Sequence, residues 1–396
     1  MKVLFLSQRV PYPPNRGDKI TTWRLVERLG RDHEVRIFAF AHDEADLDAA
    51  RQLTRLGYPT VAIPHNETLK KALSLPLLLT SKPLTLGVFS SAKLQRQVDQ
   101  HIESSDVAYA YSSSMGAFLV GKGLPWIMHF AELDSDKWRQ YVERTRFPMS
   151  SVYRREWKTL HRYEARLASD ASQNVFCTPL EERIFQEAIP GRPSTVLRNG
   201  VDLEHYEPAP EEAEAGHLVF VGVMDYLPNI DGCVHFVEEI LPRVREEFPE
   251  ARFSIVGSRP VPEVLKLGEV EGVTVTGFVD DPKDWLRRAA VSVAPLRIAR
   301  GIQNKVLEAM AMGLPVVGTT SATQGVAAED GRDYIVANTA EEQASAIRDL
   351  LREPQRAREL GAAARRYVDE HYDWERVFDP LEDILKDAVQ QRGTNR

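Results

Sequence analysis

Residues 291–318 constrain the fold of this chain more than any other stretch. A short apolar strand, Val291 to Leu296, runs into a polar loop carrying Arg297, Arg300 and Gly301. A helix opens near Gln303 and stops at Gly313, and a second apolar strand, Pro315 to Gly318, follows at once. Strand, glycine loop, helix and strand is the repeating unit of a parallel α/β sheet, which takes ligands beyond the carboxyl ends of its strands. Val306, Leu307, Met310 and Ala311 fall on one helical face that has to be buried. Lys305 and Glu308, three apart, leave the first turn on a different side, beside the unpaired amides of the helix start. Such a start attracts anions, and Lys305, Arg300 and Arg297 add positive charge to it. A carboxylate close by can accept hydrogen bonds from sugar hydroxyls. This stretch therefore asks for a phosphorylated, hydroxyl-rich ligand.

The same pattern recurs along the chain. In the first half, apolar runs predict strands at Lys2 to Ser7, Glu34 to Phe40, Thr60 to Ile63, Val107 to Tyr111, Trp126 to Phe130, Val175 to Thr178 and Thr195 to Leu197. In the second half they predict strands at Leu218 to Val221, Arg252 to Val256, Val273 to Phe278, Val291 to Ala294, Pro315 to Val317 and Tyr334 to Val336. A Pro- and Glu-rich stretch, Pro208 to Gly216, lies between the halves and reads as a surface linker. After helices at Thr339 to Arg352 and Pro354 to Glu370, an amphipathic segment runs from His371 to near Val389. Two Rossmann-like α/β domains are expected, facing each other across a cleft.

At 396 residues the chain has length for two or three domains. A formal net charge of -8 argues against a general nucleic-acid binder. Two cysteines, Cys177 and Cys233, make no disulfide framework and suit a reducing compartment, and Cys177 reads as a small buried hydrophobe. The apolar core of MKVLFLSQRVPYPP is too short for a signal peptide, and no segment approaches a membrane span, so a cytoplasmic location is expected. A nicotinamide dehydrogenase is the natural rival, but no predicted strand is followed by G-x-G-x-x-G, and no Walker lysine motif occurs. Asp134-Ser135-Asp136 mimics a D-x-D metal motif; it reads instead as a helix start with an N-cap.

The stretch Gly301 to Gly313 resembles the retaining family 4 glycosyltransferases of the GT-B fold. The resemblance extends over essentially the whole chain: "NGVD" at Asn199 to Asp202, "VFVG" at Val219 to Gly222, "SIVG" at Ser254 to Gly257 and "VTGFVDD" at Val275 to Asp281. PYPPNRGDKIT, LDSDKW, VMDYLPN and GIQNKVLEAMAMG resemble more narrowly the sugar transferases of bacterial exosortase (PEP-CTERM) and exopolysaccharide clusters. The resemblance implies transfer of a sugar from a nucleotide diphosphate donor to a glycan or lipid-linked acceptor, with retention and without a metal or other cofactor. It implies that Glu308 binds the donor ribose, Lys305 the diphosphate, that Gly17 lets the donor approach, and that His129 lies close to the donor sugar. Gly222 and Gly301 belong to the same implied donor site. Two departures stand out. Arg300 occupies the place of the family's first glutamate, and Val223 that of a basic residue after Gly222. Arg300 is expected to supply the missing charge, and with Lys305 and His129 it completes the expected catalytic set.

The expected organisation is an acceptor domain over 1–200, joined by a returning C-terminal helix over 374–396, and a donor domain over 201–373. Two alternatives stand beside this reading: a nucleotide-sugar 2-epimerase, which shares the architecture, and a non-catalytic sugar-binding scaffold, motivated by the lost glutamate. From Lys137 to Arg166 nine basic residues outnumber three acids, with Trp138, Tyr141, Phe147, Tyr153, Trp157 and Tyr163 interleaved. That mixture suits an anionic membrane surface on the inner face, and Leu69 to Leu73 with Leu75 to Leu79 offers a second patch. A long helix with its aromatics inward explains the run equally well.

Overall fold

The computed structural model describes residues 1–209, 212–299 and 301–394. Its described strands form two parallel sheets in two compact units, Met1–Arg198 with Phe378–Arg396, and Asn199–Val377.

The first sheet comprises β1 (Lys2–Ser7), β2 (Glu34–Ala41), β3 (Thr60–Pro64), β4 (Val107–Tyr111), β5 (Trp126–Phe130), β6 (Gln173–Phe176) and β7 (Ser194–Val196). Its order is β3-β2-β1-β4-β5-β6-β7, so the direction of winding reverses between β1 and β4. Helices cover both faces, which is why β1, β4 and β5 are nearly continuous runs of buried residues. β6 begins two residues earlier than the apolar pattern places it. Gln173 and Asn174 are polar yet buried, and Asn174 Nδ2 donates to the carbonyls of Ala168 (3.2 Å) and Pro193 (3.0 Å). The C-terminal helix, Leu381–Thr394, packs on β4, β5 and β6 through Leu381, Ile384, Leu385 and Ala388. Its Glu382 meets His33 Nε2 at 2.8 Å.

The basic, aromatic run forms a helical hairpin, Asp134–Arg144 and Met149–Asp170. Trp138, Tyr141 and Tyr153 turn towards one another, with ring centroids 5.3 to 5.8 Å apart, while Arg154, Lys158, Arg162 and Arg166 line an exposed face. The inward reading holds for these three and for Tyr163, which packs against the core of the first unit, while Phe147, at 82% exposure, faces outward. Glu164, fully buried, accepts from Ser135 N at 3.1 Å and so caps the first of these helices. Asp134 is therefore the first residue of that helix and not its cap; it accepts instead from Ser113 Oγ at 2.5 Å.

The second sheet comprises β8 (His217–Val221), β9 (Arg252–Val256), β10 (Val273–Gly277), β11 (Val291–Ala294), β12 (Val316–Gly318) and β13 (Ile335–Val336). Its order is β10-β9-β8-β11-β12-β13, with the reversal between β8 and β11. In open α/β sheets that reversal opens the crevice in which ligands sit. The 291–318 unit runs as β11, the helix Asn304–Ala311, and β12. Val306, Leu307, Met310 and Ala311 are all buried, as their helical spacing requires. At the edge of this unit Val201 N bonds the carbonyl of Tyr372 at 2.8 Å, and a Cβ on Gly200 would come within 2.6 Å of the Trp374 ring.

Candidate active site

The crevice between β8 and β11 is built by close packing of backbone. Gly257 has φ +147°, and a Cβ there would lie 1.7 Å from the carbonyl oxygen of Gly222. Gly222 N donates to the Val256 carbonyl at 2.9 Å, which fixes the two strand ends together. A Cβ on Gly222 would in turn strike Asn229 Nδ2 at 2.7 Å. Glycine at 222 thus lets Asn229 fold back under the loop. On the other side of the crevice Gly301, at φ +60°, lies so close to residue 325 that a Cβ on Gly325 would meet its carbonyl oxygen at 2.2 Å.

Asn229 is 4% exposed and spends its amide in two directions. Nδ2 donates to the Val223 carbonyl at 2.9 Å, and Oδ1 accepts from Lys305 Nζ at 2.9 Å. Lys305 rises from the first turn of helix 304–311 and stands 4.8 Å from the centroid of the Phe220 ring. Half-buried and held by a neutral amide and an aromatic face, its ammonium is pushed down to about 8 by desolvation. The helix starts with no side-chain cap from Gln303. One cation and a helix start therefore face the same crevice, the arrangement that receives a phosphate.

Glu308, one turn on, is pushed up to about 7 by burial, against the opposing pull of Lys305 and a hydrogen bond from the Tyr206 hydroxyl. Tyr206 is itself raised well above an ordinary phenol by burial and by the Glu308 carboxylate, so it stays the donor of that bond. The carboxyl group is thus positioned by a phenol, with capacity left to accept from a ligand hydroxyl.

Of the expected residues, Gly222, Gly301, Lys305 and Glu308 belong to this unit, and Gly222 is linked to Lys305 through Asn229. Arg300 lies outside the described residues. Arg297 does not add its charge to Lys305: its guanidinium is engaged with the Asp231 carboxylate, with Nε at 2.9 Å from Oδ2. Gly17 opens the helix Gly17–Gly30 of the first unit and is exposed. His129, also in the first unit, is 1% exposed. Its Nδ1 meets the Tyr109 hydroxyl at 2.7 Å and its Nε2 meets Cys177 Sγ at 3.3 Å. Burial pushes the ring down to about 3, so it is a neutral core histidine. That corrects its expected place against a donor sugar, since both ring nitrogens face protein. Cys177 is buried as expected, its thiol pushed up to about 12. Asn229 and Tyr206 are the residues sequence reasoning missed. Asn229 was legible only as the polar residue downstream of Val223, and nothing near Tyr206 in the chain marks it as a partner of Glu308.

The model of the family described as glycosyl transferases group 1 matches residues 215–353, the part of the chain that holds this site. A protein of the Klebsiella pneumoniae cps region, described as an uncharacterized 44.6 kDa protein, is 20% identical over 96% of this chain and 98% of its own. The GDP-mannose-dependent alpha-(1-6)-phosphatidylinositol monomannoside mannosyltransferase of Mycolicibacterium smegmatis is 27% identical over 57% of this chain and 65% of its own. Among solved structures, HepE of Anabaena in complex with UDP superposes with a TM-score of 0.72 at 16% identity, covering 98% of this chain and 100% of its own. Sucrose-phosphate synthase of Thermosynechococcus elongatus does so with a TM-score of 0.73 at 17% identity, covering 98% of each. The structural likeness speaks for the fold, and the family match speaks for the half that carries Lys305 and Glu308. Together they show a glycosyl transferases group 1 domain over residues 215–353 in a chain of the two-domain GT-B fold.

Proposed function

We propose that the chain transfers a sugar, with retention at the anomeric carbon and without a metal, from a nucleoside diphosphate donor to a glycan or lipid-linked acceptor of the cell envelope. The observation that carries this reading is Lys305, a partly desolvated cation held by Asn229 at the start of helix 304–311. As the bond from anomeric carbon to diphosphate oxygen breaks, its electron pair passes to the diphosphate, and Lys305 and the helix start meet the growing charge. The acceptor oxygen joins the same face of the sugar, and its proton passes to the departing phosphate oxygen. Glu308, oriented by Tyr206, accepts from the donor ribose hydroxyls.

The lipid-linked alternative for the acceptor draws support from relatives whose names specify phosphatidylinositol mannosides, and from one exposed patch. Leu69, Leu73, Leu75 and Leu79 are 56%, 65%, 57% and 93% exposed, beside Lys70 and Lys71. Arg155 donates to the carbonyls of Leu77 (2.5 Å), Leu78 (3.1 Å), Thr80 (2.5 Å) and Lys82 (2.8 Å), which holds the patch in place. An apolar surface with lysines at its edge is suited to a peripheral position on anionic lipid. The primary test is a thermal-shift screen over UDP-, GDP-, ADP- and dTDP-sugars, followed by incubation of the best ligand with and without acceptor. Product formed without acceptor identifies an epimerase, and donor binding without turnover in the presence of acceptor identifies a scaffold.

A further inference from the structure

Beyond the carboxyl end of β9 the chain turns through Gly257-Ser258-Arg259-Pro260, and Arg259 sits at φ +57°. A bulky side chain rarely adopts that left-handed region, which glycine enters freely. The surroundings hold the turn there. Met224 N donates to the Ser258 carbonyl at 2.8 Å, Val261 N donates to the Met224 carbonyl at 3.4 Å, and Gly257 is pressed on Gly222. In exchange for this strain the Arg259 side chain is thrown outward, 68% exposed, 3.5 Å from the Asp225 carboxylate on the loop after β8. Strain persisting at a strand end beside a ligand crevice points to a use for the side chain.

We propose that Arg259 seats the nucleobase of the donor, stacking its guanidinium plane on the base. This inference rests on the reading that the C-terminal half binds a nucleoside diphosphate sugar. Three features favour the base over the phosphates. The Arg259 charge is already answered by Asp225, whose own charge would repel a diphosphate, whereas the direct hydrogen-bond partner of Lys305 Nζ is the neutral Asn229 amide. A guanidinium paired in this way keeps its flat face available for stacking. Placement agrees. β9 lies one strand, about 4.8 Å, outboard of β8 and on the side away from β11 and helix 304–311. A nucleotide with its phosphates at Lys305 therefore carries its base over the ends of β9 and β10. There Phe278, 74% exposed directly after β10, offers a second flat side chain.

The test is calorimetric titration of UDP, GDP, ADP and dTDP into the full chain and its Arg259→Gly and Arg259→Lys variants, with Lys305→Ala as reference. Arg259→Gly is expected to bind the preferred nucleotide about tenfold more weakly. Its melting temperature should be no lower than that of the wild type, because glycine fits the backbone, which separates a binding role from a structural one. Arg259→Lys keeps the charge and loses the plane, so it should bind as weakly as the glycine variant. Competition by inorganic pyrophosphate should be unchanged in both. Full affinity in Arg259→Gly, beside a loss in Lys305→Ala, overturns the proposal and leaves the functional reading standing. Restored affinity in Arg259→Lys assigns the residue to phosphate and overturns it as well. A folded wild type that binds none of the four nucleotides removes the functional reading, and this proposal with it.

Discussion

The two sheets of this chain share a winding scheme, yet the crevices at their reversal points are furnished differently. At the β1/β4 end the cations of Arg9, Arg16 and Lys19 are each answered by a carboxylate. Lys19 meets Asp46 at 2.7 Å in a buried pair, Arg16 meets Asp18 at 2.6 Å, and Arg9 lies 3.5 Å from Asp18 and 3.8 Å from Glu67. Neutral groups stand beside these pairs, Gln8 Nε2 donating to Ser114 Oγ at 2.7 Å. At the β8/β11 end Lys305 is answered by an amide, and Glu308 by a phenol. A crevice whose charges are internally cancelled suits a neutral, hydroxyl-rich partner, and one with an uncancelled cation suits an anion. The same winding scheme thus differs between the two units in what stands opposite its lysines.

The comparison breaks most visibly at Lys305. On the proposed function Lys305→Ala removes a charge-assisted contact to the diphosphate, worth about 1.5–3 kcal/mol where it is desolvated. Turnover with the best donor should fall by about 10- to 150-fold, with the melting temperature nearly unchanged. Lys19→Ala should do the reverse. It strands Asp46, which is buried and also accepts from His42 N at 2.9 Å, so stability should fall by about 3 kcal/mol with donor affinity retained. If Lys19→Ala weakened donor binding as much as Lys305→Ala does, the division of labour between the crevices would be wrong.

His129 sharpens the contrast from the other side. Its ring joins Tyr109 to Cys177 inside the core, so His129→Ala leaves a cavity and a buried phenol without its partner. Chemical denaturation should show a loss of about 2–4 kcal/mol. Nucleotide affinity in whatever fraction remains folded should match the wild type. A large affinity loss without a stability loss would return His129 to the donor site.

A smaller effect is expected in the pH dependence of donor binding. Lys305 is pushed down to about 8, so its charge is present below that pH and is lost as pH rises through it. Glu308 is pushed up to about 7, so its carboxylate is present above that pH and is lost as pH falls through it. Because this acid is raised on folding, the free protein gains stability from Glu308 as pH falls from about 7 towards its unfolded value. Donor binding needs both charged forms and should peak between the two values, falling several-fold by pH 5.5 and by pH 9. Glu308→Gln should flatten the acid limb and leave the alkaline limb in place. An unaltered acid limb in that variant would assign the titration to another group.

Much of this was legible in the chain. Strands buried on both faces are runs of apolar residues, and the 291–318 unit announced itself by the switch from strand to helical spacing. Lys305 and Glu308 were legible because every other residue of the helix after Asn304 is apolar, leaving two charges with no business in a core. What escaped was set by contacts distant in sequence. Asn229 lies 76 residues from the lysine it holds. The first residues of β6 hide among polar side chains, and His129 resembles a site residue until Tyr109 and Cys177 are seen to occupy both nitrogens. Charge along a helix proved the least informative pattern: Trp138, Tyr141 and Tyr153 of the 134–170 hairpin face one another, and Arg154, Arg162 and Arg166 line a solvated face.

The weakest interaction is expected at the exposed patch of the first unit, where the contrast extends from crevices to surfaces. The helix Glu67–Ser74 buries only Ser74, and the turn Leu75–Leu79 buries no residue, so substitutions there should leave the fold intact. Leucines that support no core yet are held in place by Arg155 fit a surface that meets something apolar. Lys71 already pairs with Glu67 at 2.8 Å, and Lys70 donates to the Ser90 carbonyl at 2.8 Å, so neither lysine presents its full charge to lipid. Each basic residue near an anionic surface contributes at most about 1 kcal/mol, and screening reduces it further. Binding should therefore be weak, reversible and carried chiefly by the leucines. Co-sedimentation with anionic vesicles at low salt should be detectable, and it should fall about tenfold in a Leu75→Ser, Leu79→Ser double variant that melts like the wild type. High salt should weaken it less than that double variant does. Vesicle binding that survives loss of both leucines but vanishes in salt would shift the contact to the arginine face of the 149–170 helix. No binding by folded wild type at low salt would leave a soluble glycan as the acceptor.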